Sequence, residues 1–266
     1  MRYLFGHLEE VKARISESKR TYLLLDCDGT LAPIVREPQQ AVVGKRMSRA
    51  LWSLAKMPSC VLAIVSGRSL EDVRRLVGID GIYYVGNHGL EISGPHIIHT
   101  DRTAQNFRRS IGDIAQTLRR LESVGVTVED KQLTLTVHYR RAALRSVPVI
   151  KSAVESVMHA YPHFEVTAGK KVLEIRPRTE WNKGLAVQWL INQLGSGLPI
   201  YVGDDLTDED AFSRVRGGVT ILVSGRWKAT NAKYYLKDAT DVYKFLRLLA
   251  TWIQLHAGIR NTLRQV

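Results

Sequence analysis

Five short apolar runs recur along the chain, and each is followed at once by a polar cluster that contains glycine or aspartate. Helix-type patterns separate several of them, at Lys45–Lys56, Leu70–Val77 and Lys183–Leu194. Strands that alternate with helices indicate βαβ units and a parallel sheet, whose buried strands are continuously apolar. The runs are Thr21–Leu25, Val61–Val65, Ile82–Val85, Ile200–Val202 and Thr220–Val223, followed by DCDGT, SGR, GNHG, GDD and SGR.

The middle of the chain has a different pattern, which predicts an antiparallel α+β module. An apolar stripe with helical spacing runs from Phe107 to Leu121, and Leu133–Tyr139 alternates like a strand with one buried face. The other expected elements are a strand at Val124–Glu129, a helix at Ser146–Ala160, and a hairpin of Phe164–Thr167 with Lys171–Ile175. We therefore predict a core of residues 1–100 and 180–266, interrupted by a second domain at residues 101–179.

Composition and charge narrow the classes of function. With 45% hydrophobic and 24% charged residues, the 266-residue chain is neither disordered nor a coiled-coil rod. The net charge of +12, from 38 basic and 26 acidic residues, suits a nucleic acid, a membrane surface or an anionic substrate. The basic residues are spread out and no recognition motif accompanies them, so we interpret them as a solvated surface. Lys244–Arg264 is expected to form a docked amphipathic helix.

Cysteine content and segment hydrophobicity bear on location. Cys27 and Cys60 are too few for a disulfide framework, and no apolar stretch approaches the ~20 residues that cross a bilayer. The N-terminal residues contain no apolar signal segment. We expect a cytoplasmic protein in a reducing compartment, without a nucleic-acid or membrane partner, and we expect it to be a monomer.

Carboxylates are concentrated where the apolar runs end. Asp26 and Asp28 lie two residues apart at the end of the first run, and strand geometry would point both side chains the same way. Asp204, Asp205 and Asp208 follow the fourth run. Because the carboxyl ends of parallel strands lie at one edge of the sheet, we expect these clusters to converge. Such a set needs a cation, and hard oxygen ligands suit Mg²⁺.

Phosphoryl transfer is the chemistry that this set of side chains suits. A carboxylate can attack phosphorus to form an aspartyl-phosphate when positive groups and donors surround the transferred oxygens. Ser66 and Arg68 follow a neighbouring strand and offer a hydroxyl and a guanidinium. Lys183, in WNKG, offers an ammonium at a helix start.

The ordered set DCDGT, SGR, NKG and GDDLTDED resembles the motifs of the haloacid dehalogenase (HAD) superfamily of aspartyl phosphatases. With GNHG, VEDK, HYR and EIRP, it closely resembles the trehalose-6-phosphate phosphatase family over Asp26–Phe212, about 70% of the chain. The resemblance implies a Rossmann-like α/β core with a parallel sheet and an inserted α+β cap domain. It also implies Mg²⁺-dependent hydrolysis of a small sugar phosphate, trehalose 6-phosphate, to trehalose and phosphate.

The resemblance assigns catalytic roles residue by residue. Asp26 would be the nucleophile, and Asp28 would protonate the leaving oxygen and then activate water. Ser66 and Lys183 would hold the phosphoryl oxygens, and Arg68 would add positive charge near the substrate.

The metal and sugar sites also follow from the resemblance. Glu129, Lys131 and Glu174 of the cap would bind sugar hydroxyls through charge-assisted hydrogen bonds. The metal set would be Asp26, the Asp28 carbonyl and Asp204, supported directly or through water by Asp205 and Asp208.

Structural interpretations remain open for some of these residues. Ser66 and Asp208 could each be a helix N-cap, and the three cap residues could be an exposed strand face. Rival substrates are sucrose 6-phosphate, mannosyl-3-phosphoglycerate and glucosylglycerol phosphate. A non-enzymatic phospho-receiver is a different class, disfavoured by the paired aspartates and the large insertion. A basic nucleic-acid-binding protein is disfavoured by the spread of charge.

Overall fold

The computed structural model describes residues 1–35, 40–169 and 171–263, with side chains described within those ranges as far as His256. They form two compact units. The core unit comprises Met1–His99 and Asn182–Val266, and the inserted unit comprises Thr100–Trp181. The expected second domain, 101–179, starts one residue later and ends two residues earlier than this inserted unit.

Strands alternate with helices along the described chain. The strands are β1 (Arg2–Tyr3), β2 (Thr21–Asp26), β3 (Cys60–Val65), β4 (Tyr83–Gly86), β5 (Glu91–Gly94), β6 (Ile97–Thr100), β7 (Thr127–Asp130), β8 (Leu135–His138), β9 (Phe164–Ala168), β10 (Val172–Pro177), β11 (Leu198–Gly203), β12 (Val219–Val223) and β13 (Tyr234–Leu236). The helices are α1 (Leu8–Glu17), α2 (Lys45–Ala55), α3 (Leu70–Val77), α4 (Arg102–Asn106), α5 (Arg108–Leu118), α6 (Val147–Met158), α7 (Lys183–Leu194), α8 (Thr207–Arg214) and α9 (Ala239–Leu263). None of these helices is long and apolar enough to cross a bilayer.

The core unit is built on a nine-stranded sheet in the order β1-β13-β12-β11-β2-β3-β4-β5-β6. The strands from β1 to β4 in that order pair in parallel, and β5 runs antiparallel to β4. Every residue of β2 is buried, as in a strand that is covered on both faces. The five apolar runs correspond to β2, β3, β4, β11 and β12, so the expected α/β fold with a parallel sheet is confirmed.

Helices cover this sheet and complete its apolar core. Leu23 and Leu25 of β2 pack in one cluster with Leu51 of α2 and Phe245 of α9. The last helix, α9, contacts both α1 and α2, so it is docked as expected, but it begins at Ala239 rather than at Lys244.

The inserted unit contains a four-stranded antiparallel sheet in the order β7-β8-β10-β9. One face of this sheet is apolar and packs on α5 and α6. The expected hairpin is present as β9 and β10, and Pro148 lies in the first turn of α6 as expected. The packed side chains include Ile111, Ile114, Val128, Val137, Ile150, Val154, Leu173 and Ile175.

Local backbone conformation explains why some helix and strand boundaries differ from those predicted by the sequence pattern. The helix expected over Phe107–Leu121 starts where predicted, with Phe107 as the N-cap of α5, and the short helix α4 that precedes it was not predicted. The C-terminal part of the expected helix is a 3₁₀ helix, which ends where Gly125 adopts a left-handed φ of 85°. The following strand therefore starts at Thr127 instead of Val124. The β5 and β6 strands, of four residues each, were not predicted because so few positions hardly reveal an alternation.

The register of β9 and β10 generates a test of the inserted unit's core. Ile175 is fully buried, whereas Val166, directly opposite it on β9, is 37% exposed. We expect Ile175→Ala to lower the unfolding free energy by about 2–4 kcal/mol because it leaves a cavity. Val166→Ala should cost less than about 1 kcal/mol. Urea denaturation of both variants checks this, and equal losses would contradict the difference in burial between the inner strand β10 and the edge strand β9.

Candidate active site

Neighbouring strand ends bring the predicted catalytic segments together in the core unit. β2 lies between β11 and β3, and all three run in parallel. Asp26 is the last residue of β2, Ser66 follows β3, and Asp204 follows β11. The strand topology therefore places these three residues at one edge of the sheet, where open α/β sheets bind their ligands.

Lys183 links two carboxylates at this edge. Its ammonium donates to Asp26 Oδ1 and to Asp208 Oδ1, both at 2.6 Å. All three side chains are buried, and Asp208 is fully buried. Asn182 caps α7 by accepting a hydrogen bond from the Leu185 amide, which fixes the helix start from which Lys183 projects.

Both carboxylate oxygens of Asp208 accept hydrogen bonds from other residues of the chain. Besides Lys183, the hydroxyl of Tyr201 donates to Asp208 Oδ1 at 2.7 Å. The amides of Asp204 and Asp205 both donate to Asp208 Oδ2 at 2.9 Å. Asp208 therefore organises the turn after β11. It is not the N-cap of α8, because it lies inside that helix, whose N-cap is Leu206. Gly203 precedes that turn because a Cβ atom there would collide with the Asp208 carboxylate.

Burial and neighbouring charge shift the pKa values of this cluster. Burial, followed by the charges of Asp208 and Asp204, raises the pKa of Asp26 well above its ordinary value, against the opposing effect of Lys183. Desolvation alone would lower the pKa of Lys183, but the Asp208 and Asp26 carboxylates outweigh it and raise that pKa well above normal. Lys183 is thus held charged, and further positive charge beside Asp26 would favour its carboxylate form.

The carboxylates of the cluster fit a divalent cation. One oxygen from each of Asp26, Asp204 and Asp208 lies within 4.8 Å of the others. Asp26 Oδ2 is buried and accepts no hydrogen bond from the described residues, so it has an open coordination position. Gly29, at φ 91°, lets the turn after β2 approach Asp204, since a Cβ atom there would collide with its carboxylate. Hard oxygen donors in this arrangement suit a hard divalent ion.

Asp205 does not join that carboxylate set. Its side chain is exposed, and its Oδ1 accepts a hydrogen bond from the Leu206 amide. Asp208 lies within the set but already accepts four hydrogen bonds. The geometry therefore favours Asp26 and Asp204 as the side chains with room for a metal.

Arg68 forms an ion pair with Asp28, whereas the resemblance implied only that it adds positive charge near the substrate. Its Nε and Nη2 each donate to Asp28 at 2.7 Å, a bidentate pair with Asp28 partly exposed. Asp28 lies beyond the end of β2, so strand alternation with Asp26 does not set its orientation. Ser66 is buried, and its Oγ accepts from the Arg68 amide, whereas Ser69 caps α3. Ser66 is therefore not the N-cap of that helix.

The GNHG segment supports the loop that carries Ser66. Asn87 and His88 both have positive φ, 47° and 57°, which is strained for residues with a Cβ. The Asn87 amide donates to Arg68 O at 2.7 Å, and the His88 amide donates to Ser66 O at 3.1 Å. A Cβ atom at Gly67 would collide with the His88 ring. The two segments therefore fix each other's backbone.

A second polar cluster lies on the inserted unit, on the face of its sheet opposite the apolar core. Glu129, Thr136 and Glu174 are directly opposite one another on β7, β8 and β10. Lys131 Nζ donates to Glu174 Oε1 at 3.0 Å, and the Thr136 hydroxyl contacts the same oxygen at 3.3 Å. The Glu129 carboxylate is hydrogen-bonded to His138 Nε2 at 2.7 Å. The three predicted cap residues thus share one face.

Sequence reasoning missed two side chains that complete these clusters. Tyr201 lies inside an apolar strand, where a single hydroxyl gives no signal. His138 is expected on the polar side of the alternation, with Thr134 and Thr136, but that pattern does not predict its hydrogen bond to Glu129.

Comparison with known proteins identifies the family. Residues 24–240 match the family model of trehalose-phosphatases. The chain belongs to the trehalose-phosphatase family. Similar members include probable trehalose-phosphate phosphatase 4 of Oryza sativa subsp. japonica, 40% identical over 92% of this chain and 69% of its own length. Trehalose-phosphate phosphatase B of Arabidopsis thaliana is 39% identical over 91% of this chain and 70% of its own.

Solved structures of this trehalose-phosphatase family share the fold. The C-terminal domain of trehalose-6-phosphate phosphatase from C. albicans is 26% identical, with a TM-score of 0.77 over 92% of this chain and 97% of that one. A haloacid dehalogenase-like hydrolase from Bacteroides thetaiotaomicron is 14% identical, with a TM-score of 0.63 over 87% of this chain and 100% of that one. The second likeness shows the fold alone, and it is the HAD fold expected from the motifs.

The hydrogen bonds of Asp208 generate a test with a matched control. We expect Asp208→Asn to lower the unfolding free energy by about 3 kcal/mol, because Lys183 stays buried with one carboxylate partner fewer. Asp205→Asn, which makes the same change at an exposed position, should cost within about 0.5 kcal/mol. Denaturant unfolding measures both. Similar losses for the two variants would contradict the central position of Asp208.

Proposed function

We propose that this member of the trehalose-phosphatase family hydrolyses trehalose 6-phosphate to trehalose and inorganic phosphate, with Mg²⁺ as its cofactor. The observation that carries the proposal is the buried Asp26 carboxylate, which has one oxygen on Lys183 and the other open. A carboxylate held in this way beside cations is suited to attack phosphorus. The family and its named relatives point to trehalose phosphate as the substrate.

The proposed reaction has two steps at the core unit. Asp26 attacks phosphorus, the bond to the sugar oxygen breaks, and Asp28 gives that oxygen a proton. Asp28 then takes a proton from water, which attacks the aspartyl-phosphate and releases phosphate while Asp26 is regenerated. Lys183 and Ser66 hold the phosphoryl oxygens. After Asp28 has given up its proton, the bidentate contact of Arg68 orients the resulting carboxylate for the second step.

A bound Mg²⁺ would be held by Asp26, the Asp28 carbonyl and Asp204, and it would supply positive charge next to the transferred phosphoryl group. This assignment agrees with the open Oδ2 of Asp26. In our proposal, Asp208 acts through hydrogen bonds, by orienting Lys183 and the amides of Asp204 and Asp205.

Recognition of the sugar is assigned to the polar face of the inserted unit. Glu129, Lys131 and Glu174 present charged acceptors and a donor, which suit the hydroxyl groups of a neutral disaccharide. Their shared face on β7, β8 and β10 supports a binding role, although an exposed strand face would share the same register. Other disaccharide or glycosyl phosphates have similar hydroxyl groups and are the rivals to be excluded.

A substrate panel tests the proposed reaction. We expect phosphate release from trehalose 6-phosphate with Mg²⁺ to exceed that from sucrose 6-phosphate, mannosyl-3-phosphoglycerate and glucosylglycerol phosphate by about a hundredfold or more in kcat/KM. EDTA should abolish the activity, and Asp26→Asn should lower kcat by about a thousandfold or more because it removes the nucleophile. Transfer of phosphate to the protein without turnover would instead favour a phospho-receiver.

The polar face of the inserted unit has its own test. We expect Glu174→Gln to raise KM for trehalose 6-phosphate about tenfold, because a charged acceptor for a sugar hydroxyl is lost. The same variant should leave the turnover of a generic aryl phosphate, which has no sugar, unchanged. Glu155→Gln, on the exposed side of α6, is the control and should match the wild type. Equal losses on both substrates would show that Glu174 does not act through sugar recognition.

A further inference from the structure

The segment between β12 and β13 holds the turn that carries Asp204. We call this segment, Ser224–Asn231, the strap. Lys228 Nζ in the strap donates to the main-chain oxygen of Asp204 at 2.5 Å. Lys228 is half-buried, whereas its neighbours Trp227 and Ala229 are exposed, so its side chain is the inward-pointing one of the three.

Glu209 anchors the other end of the strap to α8. The hydroxyl of Thr230 donates to Glu209 Oε1 at 2.6 Å, and the amide of Asn231 donates to Glu209 Oε2 at 2.7 Å. Glu209 is one residue from Asp208 in the first turn of α8. The strap is therefore joined to both ends of the segment that begins at Asp204 and enters α8.

The strap is itself fixed to the sheet on both sides. At its start, the Ser224 amide donates to Leu236 O at 2.8 Å, and two residues after its end, the Lys233 amide donates to Thr220 Oγ1 at 3.0 Å. These contacts tie it to β12 and β13, which pair in parallel. Because the strap is bonded to the sheet, its contacts with Asp204 and Glu209 also hold the turn that carries Asp204 in place relative to the sheet.

The peptide groups of Asp204 are thereby held from two directions. Its amide donates to Asp208 Oδ2, and its carbonyl accepts from Lys228. The Asp204 carboxylate, which belongs to the carboxylate set, projects from the backbone between those two hydrogen bonds. A ligand fixed before the ion arrives loses less conformational entropy on binding.

We propose that Lys228 is a positioning residue that strengthens cation binding by fixing the backbone of Asp204. The proposal rests on the proposed function, because it takes Asp204 to be a metal ligand. It is sharply testable because the two effects of a lysine here have opposite signs. As a nearby positive charge alone, Lys228 would repel the cation, so its removal would strengthen binding. As a positioning group, its removal would weaken binding.

The experiment measures Mg²⁺ binding without substrate, through the rise of Tm with Mg²⁺ concentration. We expect Lys228→Met to raise the Mg²⁺ concentration for the half-maximal Tm shift about fivefold or more, because a charged hydrogen bond is lost. Lys228→Arg, which keeps a donor, should restore much of the affinity. Lys233→Met removes the same charge from an exposed position near the strap, and it should match the wild type. Tm without Mg²⁺ reports any merely structural effect.

Unchanged or tighter Mg²⁺ binding in Lys228→Met would overturn the proposal. Thr230→Val serves as the second variant if Lys228→Met does not fold, and it should weaken Mg²⁺ binding about twofold because the contact with Glu209 is lost. The substrate panel remains a separate measurement. Weaker Mg²⁺ binding in the strap variants without trehalose 6-phosphate turnover by the wild type would retain this inference and reject the proposed substrate.

Discussion

The site depends on one buried cation between two buried carboxylates. Isolated charges would be very costly in the interior, and Lys183 is tolerated there because Asp26 and Asp208 both accept its hydrogen bonds at 2.6 Å. The three residues come from α7, β2 and α8. The two hydrogen bonds of Lys183 therefore fix how these three elements pack together. Asp26 Oδ2 takes part in neither of them.

The parallel core could be predicted from the sequence because its strands are continuous apolar runs that end abruptly in polar clusters. This pattern placed Asp26, Ser66 and Asp204 at one edge without any knowledge of a fold. It could not show what each carboxylate contacts. Asp205 and Asp208 look equivalent in GDDLTDED, yet one is exposed and the other fully buried, since only the three-dimensional turn decides which of them faces Lys183.

In the inserted unit too, the sequence pattern predicted which face of a strand is buried but not which residues of neighbouring strands are in contact. Alternation in Leu133–Tyr139 gave the buried face of β8, because side chains in a strand point alternately to opposite sides. The pairing register of the strands could not be predicted from the sequence, because it depends on which strands are neighbours in the sheet. The chain order of β9 and β10 is reversed in the sheet, so Glu174 lies opposite Thr136 rather than at the sheet edge. The contact between His138 and Glu129 follows from the register of β7 with β8, which makes these two side chains diagonal neighbours on one face.

Lys183 also lies where the chain returns to the core unit, two residues after the inserted unit ends at Trp181. Its partner Asp26 precedes it by 157 residues. During vectorial synthesis, β2 is therefore made long before β11, its neighbour on one side, and Asp26 has no ammonium to pair with until the whole insertion has been translated. Contacts so distant along the chain close slowly and late. The pair of Asp26, the proposed nucleophile, with Lys183 can thus form only after most of the polypeptide has been synthesised.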